Sequence, residues 1–543
     1  MNRKERRAAI KRGSRMPAAA SLSPRAGSGG NAAYHFNLAT SHQAAARWDK
    51  ARAHFTRAIV LGMDDTSALQ SVLQTPVIAG CLHRIAAAWP RPLTAAELFG
   101  PGGVAGIAAQ AFLLCLLKLV WVRHPGLEHL LTRLRALMLG RMGDRANVDR
   151  KELALYSALA QQCFINEYVF APTDDEIRQA IGLQENLSER LAKDEEISPL
   201  LVTAVAAYFP LHRLANVELL LNRKWPDEVG DLLRQQVREP LEELRDRGAI
   251  PTLTAIDDRS LPVRQQYEDN PYPRWIVIPP VAMTVHIPDT QRKNDILIAG
   301  CGTGQHSIDA ALLFPHAHIL AVDISLTSLA YARRKTREAG LNNIDYAHAD
   351  ILKLGALDRR FDVIEAVGVL HHLADPAAGW RVLLSLLRPG GSMRVGLYSE
   401  LARRAIIAGR ALIAQRGYPP TLGGIRACRQ EIFRIKDGIE KGLITLQDFY
   451  STSGCRDLLF NVLEHRYTLP QIKVFLAEHR LQFLGFELPP ETLAAFRQRY
   501  SDPAALTDLD HWQEFEAANP DTFLGMYIFR VGAWQQSDSA TSC

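Results

Sequence analysis

The segment Ile296–Gln305, ILIAGCGTGQ, constrains this chain more than any other. An apolar run stops in three alternating glycines, and nineteen residues past the last of them a second apolar run, ILAVDIS, ends in Asp323. A short apolar run bounded by turn residues reads as a buried parallel strand, with the glycines as the turn after it. Gly300, Gly302 and Gly304 let main chain approach a ligand where a Cβ would collide. Cys301 adds only a small side chain to that turn. Asp323, at the tip of the next strand with Ile324 beside it, can accept hydrogen bonds from two ribose hydroxyls. On its own, Asp323 would equally serve as a helix N-cap. Taken with the turn, it predicts a nucleoside site.

Two familiar nucleotide sites do not fit. A dinucleotide fingerprint is G-x-G-x-x-G with a glycine at the helix start, and a phosphate loop needs Gly-Lys-Ser/Thr. Here the spacing is G-x-G-x-G and no such lysine follows. Four further landmarks stand in order downstream. Asp350, in YAHADILKL, falls where a third strand would end. FDVIEAVGVLHHL, Phe361 to Leu373, reads as a fourth strand running into a loop. LLRPGGSMRVGLYS, Leu386 to Ser399, places Pro389, Gly390 and Gly391 before a fifth strand. LQFLGFEL and FLGMYIFRVG, near the C-terminus, are β-rich apolar runs. Helix-like segments such as Ser325 to Ala339 lie between the early strands, and that alternation predicts an α/β doubly wound sheet.

The glycine spacing and these landmarks resemble the class I (Rossmann-like) S-adenosylmethionine-dependent methyltransferases over residues 285–535, about half of the chain. The resemblance implies a seven-stranded sheet closed by an antiparallel pair, with S-adenosylmethionine as cofactor. It implies that Asp350 hydrogen-bonds the adenine amino group and that Ile351 packs on the ring. Methyl transfer is an in-line displacement, for which a protein mainly aligns the acceptor and excludes water, adding a base where the acceptor needs one. Candidates for that base are His371 and His372 after the fourth strand, and Tyr398 at the end of the fifth is a further pocket residue. A VLHHL run is common in related sequences, so the histidines would equally pack and cap the loop. Glu365 replaces the small residue common at its place. Facing the sheet it must be paired; facing the cofactor it binds the methionyl ammonium. The Asn/Asp-Pro-Pro-Tyr/Phe motif of members that methylate amide or base nitrogens is missing, which argues against adenine in nucleic acid. A small molecule or a protein remains as acceptor.

The remaining half is organised around this domain. Residues 1–33 are a basic, Ser/Ala/Pro/Gly-rich tail, with seven Lys or Arg among the first fifteen residues. Such a tail can touch RNA, a ribosome or an acidic membrane surface, or simply be solvated; its Arg-rich start also loosely imitates a transit peptide. Residues 34–249 read as helices throughout. His35 to Asp65 resembles one tetratricopeptide repeat, with small residues Ala39, Ala51 and Ala58 at the crossing and a turn at Arg47 and Trp48. No second copy follows at that period, so a lone hairpin packed on later helices is the alternative. Residues 250–284 form a Pro/aromatic linker of extended chain. Tyr267, Tyr272 and Arg274 in its QYEDNPYPRW centre are expected either to act as a lid over cofactor or substrate or to anchor the linker on the sheet edge. A helical insertion, 401–480, is expected to cap the acceptor pocket, with DFYSTSGCRDLLFNVLEHRY as its most polar and aromatic stretch. Residues 536–543 are a tail.

Composition narrows the class. A net charge of +5 over 543 residues does not demand a nucleic-acid partner. Seven scattered cysteines without C-x-x-C pairing argue against a zinc site or disulfide framework, so no metal is expected and a reducing, cytoplasmic setting is. Val104 to Val122 is the most apolar stretch, but Gln110 and Lys118 interrupt it, and it reads as a buried helix rather than a membrane span. The leading expectation is a methyltransferase whose helical half recruits substrate or partner. Its alternatives are a helical scaffold that binds S-adenosylmethionine without turnover, and a nucleic-acid methyltransferase guided by the basic tail.

Overall fold

The computed structural model describes residues 28–100, 103–142, 148–277 and 293–533. Most of the basic tail, the end of the linker and the C-terminal tail lie outside the described residues. The tail gives way to helix earlier than expected, because a helix runs Ser28–Ala44.

The C-terminal half is a seven-stranded sheet in the order β3-β2-β1-β4-β5-β7-β6. Its strands are β1 (Asp295–Ala299), β2 (His318–Asp323), β3 (Ile344–His348), β4 (Phe361–Val367), β5 (Leu387–Leu397), β6 (Leu481–Phe486) and β7 (Tyr527–Ala533). β1 to β5 are parallel, and β7 pairs antiparallel with both β5 and β6. This is the doubly wound arrangement with its closing antiparallel pair. Runs such as ILIA and ILAV are apolar on both faces because helices cover both sides of the sheet. The strand order reverses between β1 and β4. A ligand crevice is expected beyond the carboxyl ends there, where the Gly300–Gly304 turn emerges.

The N-terminal half is helical. The helices Ser28–Ala44 and Trp48–Val60 form a hairpin over buried Ala39, Ala51 and Ala58, packed through Phe36 and Phe55 on Phe112 of the helix Ala111–Leu119. The left-handed turn residue is Ala46, at φ +53°, so Trp48 already lies in the second helix. Val104 to Val122 breaks into two short helices, and among the described residues no helix is long and apolar enough to cross a membrane. The six cysteines in the described residues are all buried and unpaired.

Two parts of the expected layout change. The linker is not extended throughout: Leu261–Asp269 is a helix, with Pro262 in its first turn, where a missing N–H costs nothing. The insertion does more than cap the sheet. Ile406, Ile425, Cys428 and Leu459 share one apolar core with Phe55, Leu131 and Leu159 of the helical half. Arg429 of the insertion and Glu128 of the helix Pro125–Arg141 form a fully buried pair at 2.7 Å.

Candidate active site

The turn after β1 places Gly302 at φ +53°, in the left-handed region that disfavours a side chain. A Cβ there would stand 2.7 Å from the Tyr272 carbonyl oxygen, so the bare main chain lets the linker close on the turn. Gly304, at φ +84°, serves a different end. Its missing Cβ makes room for Ala332 of the helix Leu326–Glu338, and it does not line the cavity. That corrects its reading as a ligand contact.

Beyond the turn opens a cavity of about 390 Å³, lined by Gly300, Cys301, Gly302, Asp323, Ile324, Asp350 and Ile351 among others. The volume suits a drug-sized ligand. Asp323 accepts from the Gly302 N–H at 2.8 Å and the Ser325 N–H at 2.9 Å, and makes no ion pair with any described Lys or Arg. Burial pushes its pKa up to about 6 against the pull of these N–H donors. Each carboxylate oxygen has two lone pairs, so one on each remains for a pair of hydroxyls. Asp350 is anchored likewise, by the Leu352 N–H at 2.9 Å and the Asp257 N–H at 3.0 Å. Backbone donors fix both acids and leave spare acceptor lone pairs on each.

The same cavity is also lined by Tyr267, Tyr272, His372 and Tyr398 together with Asp457. Asp457 is the hub. It accepts from the Tyr267 hydroxyl at 2.6 Å, the Asn461 amide at 3.0 Å and the Tyr398 hydroxyl at 3.5 Å, and His372 Nε2 stands 3.9 Å away. Tyr272 donates to Asp448 at 2.8 Å. Burial, and then the two carboxylates, raise the Tyr267 and Tyr272 phenols well above their usual value. His372 Nδ1 donates to the Leu463 carbonyl at 2.8 Å, so in the neutral tautomer Nε2 carries the lone pair. Asp448 and Asp457 went unnamed in the sequence. The only signal for them was the polar, aromatic stretch in which both sit.

Other predicted residues stand elsewhere. His371 is fully buried, stacked on the Tyr398 ring at 3.7 Å, and does not reach the cavity; burial, and then His372, hold its pKa well below the ordinary value. Glu365 faces an ion cluster rather than the cofactor. It pairs with His306, and Arg394 lies at 3.6 Å and continues the cluster to Glu487 and Arg530. Burial pushes its pKa up, but His306 and then Arg394 outweigh it, to about 2. This is the paired alternative, and the ammonium-binding role falls away. Arg274 does not line this cavity; its guanidinium lies over the Phe164 ring at 4.5 Å and the Tyr331 ring at 5.6 Å.

The linker is fastened over this site by specific bonds. Glu268 accepts from the Leu326 N–H at 2.7 Å and the Thr327 N–H at 3.3 Å, so a carboxylate meets the positive N-terminus of the helix Leu326–Glu338. The Ser325 hydroxyl donates to the Tyr267 carbonyl at 3.1 Å, and Trp275 Nε1 donates to the Thr303 carbonyl at 3.2 Å.

Part of the chain is similar to known proteins. The methyltransferase domain family matches residues 296–391. An uncharacterized protein of Synechococcus sp. is 41% identical over 112 residues, 20% of this chain and 27% of that protein. A demethylmenaquinone methyltransferase of Listeria welshimeri is 29% identical over 111 residues, 20% of this chain and 47% of the enzyme. The chain thus spans between about a quarter and a half of the length of these relatives. The solved structure of PKMT2 from Rickettsia typhi in complex with AdoHcy is 18% identical, with a TM-score of 0.35, over 45% of this chain and 49% of that one. Residues 296–391 thus match a methyltransferase domain, set in a seven-stranded sheet with a glycine turn after its first strand.

Proposed function

We propose that this protein transfers a methyl group from S-adenosylmethionine to an acceptor held against Asp457, Tyr267, Tyr398 and His372. One observation carries the reading: Asp323 and Asp457 line a single cavity. The bound sulfonium supplies an electrophilic methyl carbon, so the residues need only position the acceptor and take its proton. Gly300, Gly302, Asp323, Asp350 and Ile351 would hold the adenosine. His372 Nε2, with its free lone pair, is placed to take a proton from an oxygen or nitrogen acceptor, and Asp457 orients the tyrosines around it. The linker helix closes over the rim and excludes water.

The acceptor is a small molecule or a protein side chain. The insertion that carries Asp457 shares its core with the helical half, so a partner bound to that half sits on the same rigid body as the acceptor wall. This favours recruitment of substrate by the helical half. The test is mass spectrometry of cell extract incubated with the protein and methyl-labelled S-adenosylmethionine. A labelled product is expected that falls by about tenfold or more with Asp457→Asn, as loss of a charged hydrogen-bond hub implies, while cofactor binding persists. Label in no product would leave the non-catalytic scaffold as the better reading.

A further inference from the structure

The cavity-lining side chains around Asp457 have spent their hydrogen-bond donors on one another and on main chain. The Tyr267 hydroxyl gives its one hydrogen to Asp457 at 2.6 Å, and the Tyr272 hydroxyl gives its own to Asp448 at 2.8 Å. The Tyr398 hydroxyl is directed at the other Asp457 oxygen, at 3.5 Å. A phenol has one hydrogen and two lone pairs, so each of these oxygens keeps only acceptor capacity. His372 gives its Nδ1 hydrogen to the Leu463 carbonyl, and its Nε2 is then an acceptor as well. Asp457 has nothing but acceptors. Tyr267 and Asn461 share one of its oxygens, and the second has only the long Tyr398 bond.

The charge around this space has one sign. Its lining among the described residues includes four aspartates, Asp309, Asp323, Asp350 and Asp457, and no lysine or arginine. His306 also lines it but is paired with Glu365. Arg403 lies over the Tyr398 ring at 3.5 Å, outside the lining, and is held by Glu464 at 2.8 Å. A carboxylate or carbonyl brought against Asp457 would set acceptor on acceptor. A hydroxyl brings one donor. An alkylammonium brings three donors and the opposite charge.

We propose that the methyl acceptor is an amine, which enters as its ammonium and is held by Asp457 and the phenol oxygens of Tyr267 and Tyr272. This rests on the methyl-transfer reading above. The ammonium gives one proton to His372 Nε2. The nitrogen lone pair so released forms the N–C bond as the C–S bond of the sulfonium breaks. The products are a methylated ammonium, S-adenosylhomocysteine and one proton, which leaves His372 for water.

Isothermal titration of the full chain saturated with S-adenosylhomocysteine, in which a neutral thioether replaces the sulfonium, tests the preference. The probes share one shape and differ in the head group: benzylamine, benzyl alcohol and benzoate. Benzylamine should bind about tenfold tighter than benzyl alcohol or better, the ratio expected for a charged hydrogen bond, and benzoate should be the weakest. Asp457→Asn should remove most of that margin, and its retained binding of S-adenosylhomocysteine shows that it is folded. A second measurement follows the methyl group in cell extract given methyl-labelled S-adenosylmethionine. The label should sit on nitrogen, in the ultrafiltrate for a small amine and in the retained protein for a side-chain amine. Four results would overturn the proposal: benzyl alcohol or benzoate binding as tightly as benzylamine, no heat from benzylamine at about 10 mM, a margin that Asp457→Asn leaves intact, or label on oxygen, carbon or sulfur. Failure to bind S-adenosylhomocysteine, with no labelled product, would instead remove the methyl-transfer reading and the amine with it.

Discussion

Asp448 shows how a single side chain reports on the chamber. Burial pushes its pKa up to about 6 although the Tyr272 hydroxyl donates to it. The fold therefore prefers this acid neutral. That preference contributes stability that is complete below the ordinary value of 3.8 and is lost as pH rises through about 6. Asp448→Asn keeps an acceptor for Tyr272 and removes the ionisation. The variant should lose less stability than the parent between about pH 4 and about pH 7, read as urea midpoints at both; equal losses would contradict the burial. Legibility at this scale followed locality. Gly302, Asp323 and Asp350 are set by main-chain geometry at strand ends, so their neighbours in sequence announce them. Glu365 and Arg274 each kept two readings in the sequence because partners remote in sequence decide where they point: His306 and Arg394 for one, Phe164 and Tyr331 for the other. Asp457 lies on a helix that carries no motif.

The element that borders the cavity from the linker is the helix Leu261–Asp269. Its prolines and tyrosines marked it as a lid or an anchor on the sheet edge, but they hid a helix whose nine residues are too few for a clear apolar period. Glu268 ties it down by receiving the first N–H groups of the helix Leu326–Glu338 and the guanidinium of Arg247 at 3.0 Å. Glu268→Ala should cost about 1 kcal/mol as a lost cap. It should speed amide hydrogen exchange across 261–277 while β1 to β5 stay protected; uniform acceleration would mean that the lid has no independent opening. The strands were the most legible elements, since a run such as ILIA ending in glycine admits few alternatives.

For the whole molecule, the unforeseen fact is that the insertion and the N-terminal helices are one packed body. No sequence pattern announces that contact, because each side shows only an amphipathic stripe and either could have covered the sheet. The buried Glu128–Arg429 pair sits inside this shared core. Arg429→Met alone should cost about 3–5 kcal/mol, since it strands a buried carboxylate, whereas Glu128→Met with Arg429→Met should recover most of it. Denaturation of both variants decides, and additive losses would show that the pair is not coupled.

The account rests on an adenosine held by the turn after β1 and the acid at the tip of β2. Isothermal titration of S-adenosylhomocysteine into the parent and into Asp323→Ala tests that most directly. The prediction is binding by the parent and a loss of about 1.5–3 kcal/mol in the variant, the worth of charged hydrogen bonds. Equal affinity in the two proteins would contradict it.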